Sequence, residues 1–292
     1  MTTRPPWTAW LDRDELEALR ESEAWTTRPP GALARVMGFL ERPLERAWSR
    51  VPERVLQDLG RAVYGVLSTV LDTSEKTLAE RAVLDLVCAE VGREISDLRE
   101  VRRVDLRALD RVARRSVEAH RRAAAVEGGV SGLAGLPGLV MDVPALYGLI
   151  FRMIQEISLA YGFPVAPPSE RIHILKVLDV GHRSDPEARR NGLQEIEAVQ
   201  GLLHAGVPTR EIEKQVLLRG LQALAEKLGV ELAHRKLAQA LAVVGSVVGA
   251  GVNYQLLGEV GDTAWHAYRR RFLMERALAR QGADSRPTRR LD

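Results

Sequence analysis

The chain has 292 residues and a formal charge of +3, from 42 Lys and Arg against 39 Asp and Glu. Hydrophobic residues make up 46% and charged residues 28%, which excludes a disordered or fibrous chain. The single cysteine, Cys88, excludes a disulfide framework and a multi-cysteine metal site. The first residues lack the apolar run of a secretory signal, so we expect a cytoplasmic protein.

Helical periodicity begins near the N-terminus. Acidic residues open a short amphipathic helix over 12–20, where they complement the helix dipole. A Pro-Pro-Gly break at 29–31 ends this region. Residues 1–30 are therefore expected to form an N-terminal extension of the main domain.

Five further helices are expected before residue 127. Prolines in first turns, capping residues and glycine breaks place them at 31–41, 43–50, 52–71, 77–91 and 94–126.

The last of these helices is rich in charge. Ten arginines lie between Arg93 and Arg122, interleaved with six acids and no aromatic residue. A nucleic-acid groove needs clustered cations and stacking aromatics, so no nucleic acid is expected as a partner. Pairs at i,i+4 spacing, such as Asp110 and Arg114, instead favour a solvated outer helix.

Two glycine-rich stretches then interrupt the charged pattern. Residues 128–151 carry one charge, Asp142, and residues 237–258 carry none. Gly245 and Gly249 lie four apart in the second stretch, so another backbone can approach that face closely. Its length also fits a membrane span, but its polar residues and four glycines favour a buried pair of helices.

The rest of the chain also has a helical pattern. The helix after the first glycine-rich stretch is expected to end at Gly162, a glycine C-cap followed by Pro164. Further helices are expected over 170–180, 186–205, 209–228 and 230–244. Together these elements predict an all-α, single-domain multi-helix bundle with the two glycine-rich apolar helical stretches at its centre.

Three polar residues in apolar surroundings are candidate catalytic groups: Asp142, Glu156 and Asn253. A buried carboxylate must find hydrogen-bond donors or take up a proton. Asp142 is accordingly a ligand or general base, or else the N-cap of a helix with Pro144 in its first turn. The second interpretation is favoured.

A polar cluster is expected between the glycine-rich stretches. Arg152 and Glu156 are four apart on one helix, with Gln155 beside them, and Asn253 comes from the second stretch. In a cleft such a cluster is a candidate site; alternatively it is an internal salt bridge that sets helix register. The structural interpretation is favoured.

A metal centre is a weaker hypothesis. Glu170 and His173, like Glu231 and His234, have the Glu-x-x-His spacing that binds di-metal centres in ferritin-like bundles. Two copies are weak evidence in a chain this rich in glutamate, and His234 lies beside Arg235 and Lys236, so neither a metal nor another cofactor is expected. The sequence also contains no P-loop, Gly-x-Ser-x-Gly or His-Glu-x-x-His motif.

The basic excess is concentrated at the C-terminus, where eight arginines and two acids lie between Arg269 and Arg290. Such a segment can bind anionic lipid electrostatically, although a solvated terminus is the simpler interpretation. Residues 276–292 are expected to form a basic, disordered tail. The residues assigned to membrane or lipid contact are Arg269, Arg270, Arg271, Arg276 and Arg280.

Several segments resemble the EcsC protein family in order and spacing. They are 135–146, 154–162, 170–172 and 243–273, and the start of the chain is also similar around Trp25, Pro29 and 51–55. The resemblance covers roughly residues 10 to 275, so residues 31–275 are expected to form an EcsC-like helical domain.

EcsC-like proteins are bacterial and helical, and they are named for a gene beside a two-component ABC transporter linked to secretion. The resemblance implies an uncharacterised, non-catalytic accessory protein at the cytoplasmic membrane face, with a transporter or secretion system as partner. It carries over no catalytic residues. The alternative is a hydrolase or metal-dependent enzyme with a site near Asp142, Glu156, His173 and Asn253.

Overall fold

A computed structural model of the chain describes residues 5–29, 53–72, 76–131, 135–183, 185–204, 222–230 and 245–284. The helices expected over 31–41 and 43–50 lie outside these ranges, as do most of 209–228 and 230–244. Every regular element within the described ranges is helical, which confirms the all-α fold class.

Nine helices of the described part are numbered in chain order. They are α1 Arg13–Thr26, α2 Glu53–Asp72, α3 Lys76–Val91, α4 Leu98–Val101, α5 Leu106–Ser131, α6 Gly135–Ala160, α7 Pro168–Gly181, α8 Pro186–His204 and α9 Gly245–Asp284. A 3₁₀ turn over Pro6–Trp10 precedes them, and residues 222–230 form a further helical segment.

Helix α1 starts at a capping box. The Asp12 carboxylate accepts the backbone N–H of Glu15, and the Glu15 carboxylate accepts the N–H of Asp12, so two end donors are satisfied. The helix then runs six residues past the expected end and buries Leu19 and Trp25 in the common core. The expected N-terminal extension is thus packed into the bundle, against α8 and α9.

The prediction of a single helix over 94–126 is wrong. Asp97 accepts the N–H groups of Arg99 and Glu100, and Asp105 accepts those of Arg107 and Ala108. Each aspartate caps a separate helix, because a short side-chain acceptor competes with the helical backbone. The chain therefore turns between α4 and α5.

The prediction that the arginine-rich segment is a solvated outer helix is also wrong for one face of α5. Leu109 and Ala113 are fully buried, and α5 packs along α9 and against α6. Only the opposite face is solvated: there Arg111 and Arg115 both bind Glu90 of α3. An amphipathic helix with an arginine-rich polar side is therefore central to the bundle.

Helix α6 begins at Gly135, seven residues before Asp142, and continues through Pro144. Asp142 is therefore inside the helix and is not its N-cap, contrary to the favoured expectation. The helix ends where the sequence predicts. Gly162 has φ of +78°, and a Cβ there would lie 2.6 Å from the carbonyl oxygen of Leu98.

Helix α9 has 40 residues, which makes it about 60 Å long, and it crosses α5, α6 and α7. Glycines allow the close crossings. A Cβ on Gly261 would lie 2.7 Å from Val117 of α5, and a Cβ on Gly181 would lie 2.9 Å from the Cα of Val260. The contacts of Gly245 and Gly249 are not among those that the structure describes.

The tail expected from residue 276 is helical as far as Asp284, and residues 285–292 lie outside the described part. None of the described helices combines the length and the apolar character that crossing a membrane requires.

Candidate functional site

The five arginines assigned to lipid contact lie in ion pairs within the protein. They bind carboxylates of other elements as follows: Arg269 to Asp110 and Glu21, Arg270 to Glu197, Arg271 to Glu170, and Arg276 and Arg280 to Glu15. These pairs connect α9 to α1, α5, α7 and α8. Arg269 is only 4% exposed, so its guanidinium is turned into the bundle and away from any lipid surface.

The Glu15 carboxylate accepts hydrogen bonds from Arg276 and Arg280 near the end of α9. Its carboxylate lies 3.1 Å from Arg276 Nη1 and 2.5 Å from Arg280 Nη1. Burial alone would raise the pKa of Glu15. The hydrogen bonds from Arg280, the Asp12 backbone N–H and Arg276 outweigh burial and hold this pKa below its ordinary value.

Glu170, a candidate metal ligand, is buried and is bound by three protein side chains. It accepts hydrogen bonds from Tyr268 Oη at 2.8 Å, Ser158 Oγ at 3.2 Å and Arg271 Nη1 at 2.6 Å. Such a carboxylate has little capacity left for a cation.

His173, the other half of this motif, lies edge-on to Tyr268 with ring centroids 4.7 Å apart. Its Nδ1 is 3.1 Å from Gln200 Nε2, and burial together with Arg271 lowers the pKa of His173 well below its ordinary value. Glu231 and His234 lie outside the described residues. Across the described ranges, no group of three or more His, Cys, Asp and Glu side chains is arranged to hold a metal.

The expected polar cluster forms only in part. Glu156 accepts hydrogen bonds from Arg152 Nε at 3.1 Å, as predicted, and from Ser116 Oγ at 2.7 Å. Gln155 is half-buried beside them. Asn253 is 1% exposed, and its amide makes no hydrogen bond within the described part of the chain.

Within the described residues, the side chains of the enzymatic alternative do not form one site. In the described ranges no hydrogen bond joins Glu156, His173 and Asn253, each of which lies in different surroundings. The side chain of Asp142 lies outside the described residues.

Two cavities in the described part of the chain are lined largely by charged residues. The first, of about 820 Å³, lies between the α4–α5 turn and the end of α9, and we call it the arginine groove. Its polar lining consists of Arg99, Arg102, Arg103, Arg276, Arg280, Asp105 and Glu275, and its apolar lining of Val104, Phe163, Phe272, Ala279 and Ala283.

Three arginines of the groove form ion pairs, and two form none with the described residues. Arg102 binds Glu275 at 3.1 Å, and Arg276 and Arg280 bind Glu15. The exposed side chains of Arg99 and Arg103 make no hydrogen bond or ion pair with the described residues. The groove therefore has uncompensated positive charge at its rim.

The second cavity, of about 550 Å³, lies between α1, α5 and α9, and we call it the histidine cavity after His266. Asp110 anchors its base: it accepts hydrogen bonds from Tyr161 Oη and Trp265 Nε1 and pairs with Arg269. Burial raises the pKa of Asp110, although the charge of Arg269 and the hydrogen bond from Tyr161 oppose this shift.

The His266 ring contacts two tryptophans. It stacks on Trp25 at 4.5 Å and tilts against Trp265 at 4.2 Å, and its Nδ1 lies 3.0 Å from Ser22 Oγ. Burial and the positive charge of Arg269 lower the pKa of His266 well below its ordinary value, so the imidazole is neutral. Sequence reasoning missed this histidine, because its contacts with Trp25 and Ser22 depend on how α1 packs on α9.

These observations define the class of protein: an all-helical bundle organised around one long C-terminal helix held by buried ion pairs. The chain belongs to the EcsC protein family, whose match covers residues 15–273. That match confirms the resemblance, and it begins at a residue of α1.

Two relatives come from Bacillus subtilis (strain 168). One is "Uncharacterized protein YdbA", 26% identical over 227 residues, which cover 77% of this chain and 80% of that protein. The other is "Protein EcsC", 26% identical over 246 residues, which cover 84% of this chain and 95% of that protein. No solved structure matches the chain.

Proposed function

We propose that this protein is a non-catalytic accessory protein that binds the cytoplasmic membrane face peripherally, with an anionic lipid headgroup in the arginine groove. One observation carries the proposal: unpaired Arg99 and Arg103 stand at the rim of a groove whose lining includes Phe163 and Phe272.

The groove fits the chemistry of an anionic phospholipid. A guanidinium presents a planar fork of N–H donors that matches two phosphate oxygens. The apolar lining suits the glycerol and first methylenes of the lipid, and Leu278 on the adjacent turn of α9 is 42% exposed. Each basic residue close to an anionic membrane contributes about 1 kcal/mol to binding.

The non-catalytic part of the proposal is supported by the use of the buried carboxylates. Glu15, Asp110 and Glu170 are all bound by arginines of α9, where they join helices. The family resemblance supports the membrane partner, a transporter or secretion system.

The test is co-sedimentation with vesicles of phosphatidylglycerol and, separately, of phosphatidylcholine at moderate salt. We expect wild-type protein to bind the anionic vesicles and not the zwitterionic ones. The variant R99Q/R103Q should bind more than tenfold more weakly, because two arginines at about 1 kcal/mol each are lost.

A matched control separates the groove from general charge. The variant R93Q/R190Q removes the same charge from two exposed arginines outside the groove and should stay within about twofold of wild type. An equal loss in both variants would show that binding is unspecific. Failure of folded wild-type protein to bind anionic vesicles would refute the proposal.

A further inference from the structure

The histidine cavity shares Asp105 and Arg276 with the arginine groove, but the rest of its lining is different and includes His266 and Trp265. Its walls come from α1, the residues just after α1, α5 and α9. A volume of about 550 Å³ lies within the range of roughly 300–1,000 Å³ that is typical of small-molecule sites. The charges on its walls indicate what it can bind.

Most charged residues of the cavity are already paired. The pairs are Arg269 with Asp110 and Glu21, Arg107 with Asp14, Arg111 with Glu90, Arg276 with Glu15, and Asp12 more distantly with Arg280. Asp105 caps α5. Among the described residues this leaves two cavity arginines without an ion-pair partner in direct contact, Arg28 and Arg114, against one exposed acid, Glu17. Half-buried Asp262 of α9 lies near both, because their charges oppose the rise that burial causes in its pKa.

Contacts fix the side chain of Arg114 and the backbone at Arg28. The guanidinium of Arg114 lies over the Trp265 ring at 4.3 Å, and the Trp265 indole N–H donates to Asp110 at 3.1 Å. Stacking occupies the face of a guanidinium and leaves its in-plane N–H donors free. The backbone carbonyl of Arg28 accepts from Arg189 Nη1 of α8 at 3.4 Å, which fixes the chain beside the cavity.

Two buried atoms of cavity residues also lack partners in the described part of the chain: His266 Nε2 and Arg269 Nε. The Ser22 hydroxyl donates to the Ala18 carbonyl, so its oxygen accepts the Nδ1–H of His266. Nε2 is then the unprotonated nitrogen, and the Nε–H of Arg269 is the second group without a partner among the described residues. A buried polar group without a partner is costly, and functional sites are a common reason for it.

We propose that the histidine cavity binds a small organic phosphate, with the phosphate group between Arg28 and Arg114 and beside His266. The N–H donors of two guanidinium groups match the several oxygens of a phosphate dianion, whereas a monocarboxylate has only two oxygens to accept them. The cavity has room for an organic part of the ligand, which Trp265 can contact.

The first test is calorimetric titration of the full-length protein with inorganic phosphate at constant ionic strength, with acetate as the monoanion. Phosphate should bind and acetate should bind more weakly. The variants R114Q and R28Q should each weaken phosphate binding at least tenfold, because each loses a charge-assisted hydrogen-bond pair. The control R115Q, a neighbouring exposed arginine of α5 outside the cavity, should leave binding within about twofold of wild type.

A second measurement distinguishes the loss of a phosphate contact from a change in the fold. An anion beside His266 would favour its protonated form, since Nε2–H could then donate to the phosphate. The pKa of His266, followed by NMR, should therefore rise when phosphate is added, and should rise less in R114Q. The charged groups around His266 are Glu21 and Arg28 from the α1 region, Asp110 and Arg114 of α5, and Asp262, Arg269 and Arg270 of α9.

Folded wild-type protein that does not bind phosphate, or an equal effect of R114Q and R115Q, would overturn the proposal. So would a His266 pKa that phosphate leaves unchanged. None of these outcomes depends on vesicle binding, so the two proposals fail independently.

Discussion

Arg271 Nη1 of α9 lies 2.6 Å from Glu170 Oε2 of α7, and the Glu170 side chain is 3% exposed. The same carboxylate accepts the hydroxyl of Tyr268, one turn earlier on α9. Because both donors are on one face of α9, this single acid fixes the rotation of α9 against α7. Basic residues that resemble a lipid-binding tail in sequence are thus part of the interior.

Replacing Glu170 by Gln should destabilise the protein by about 3 kcal/mol, because Arg271 would lose its more buried counter-ion and keep only Glu275. The measurement is urea unfolding at pH 7. The control is Asp58→Asn, which breaks an exposed pair with Arg61 and should cost less than about 1 kcal/mol. If E170Q proved as stable as D58N, this ion pair would not hold α9.

Local signals were sufficient for many helix limits. Gly162, with its positive φ, and the proline at the start of α8 mark ends that follow from single residues. The break between α4 and α5 was missed because apolar periodicity continues across it. Only the side-chain contacts of Asp97 and Asp105 show that the helix stops and restarts.

The pairing of charges could not be predicted from the sequence. Arg276 and its acceptor Glu15 are 261 residues apart, so their contact depends on how α1 packs on α9. A count of charges along the chain shows a basic segment with only two acids in it, Glu275 and Asp284. The two cavities depend on the same long-range packing, which is why Arg99, Arg103 and His266 were not singled out.

Buried histidines should make stability depend on pH. The pKa values of His173 and His266 are well below their ordinary value in the folded protein, chiefly through burial. The unfolded chain therefore binds more protons, and the free energy of unfolding should fall as the pH drops below about 6.5, by up to about 1.4 kcal/mol per pH unit for each histidine.

Urea unfolding between pH 8 and pH 5.5 checks this expectation. The double variant H173Q/H266Q should show a shallower loss of stability, while its difference from wild type at pH 8 reports packing alone. Equal slopes for the two proteins would mean that neither histidine is buried in neutral form.

Glu15 should contribute in a lower pH range. Its folded pKa is below the unfolded value, so its contribution is present above the unfolded pKa and is lost as the pH falls through the folded pKa. At pH 7 the variant E15Q should be less stable by roughly 2 kcal/mol, less than for a fully buried pair because Arg280 is partly exposed. Thermal unfolding should show this difference shrinking below pH 4; a difference independent of pH would point to lost packing.

The crossing of α7 and α9 should be sensitive to one methyl group. A Cβ on Gly181 would lie 2.9 Å from the Cα of Val260, and backbone cannot move aside as a flexible side chain can. We expect G181A to destabilise the protein by about 1–3 kcal/mol, since the two helices must separate. Gly65 of α2 is the matched control: a Cβ there would meet no described atom of another helix within 4 Å, so G65A should stabilise by roughly 0.5–1 kcal/mol through helix propensity. Urea midpoints that shift in the same direction for both variants would show that the α7–α9 crossing is looser than this contact requires.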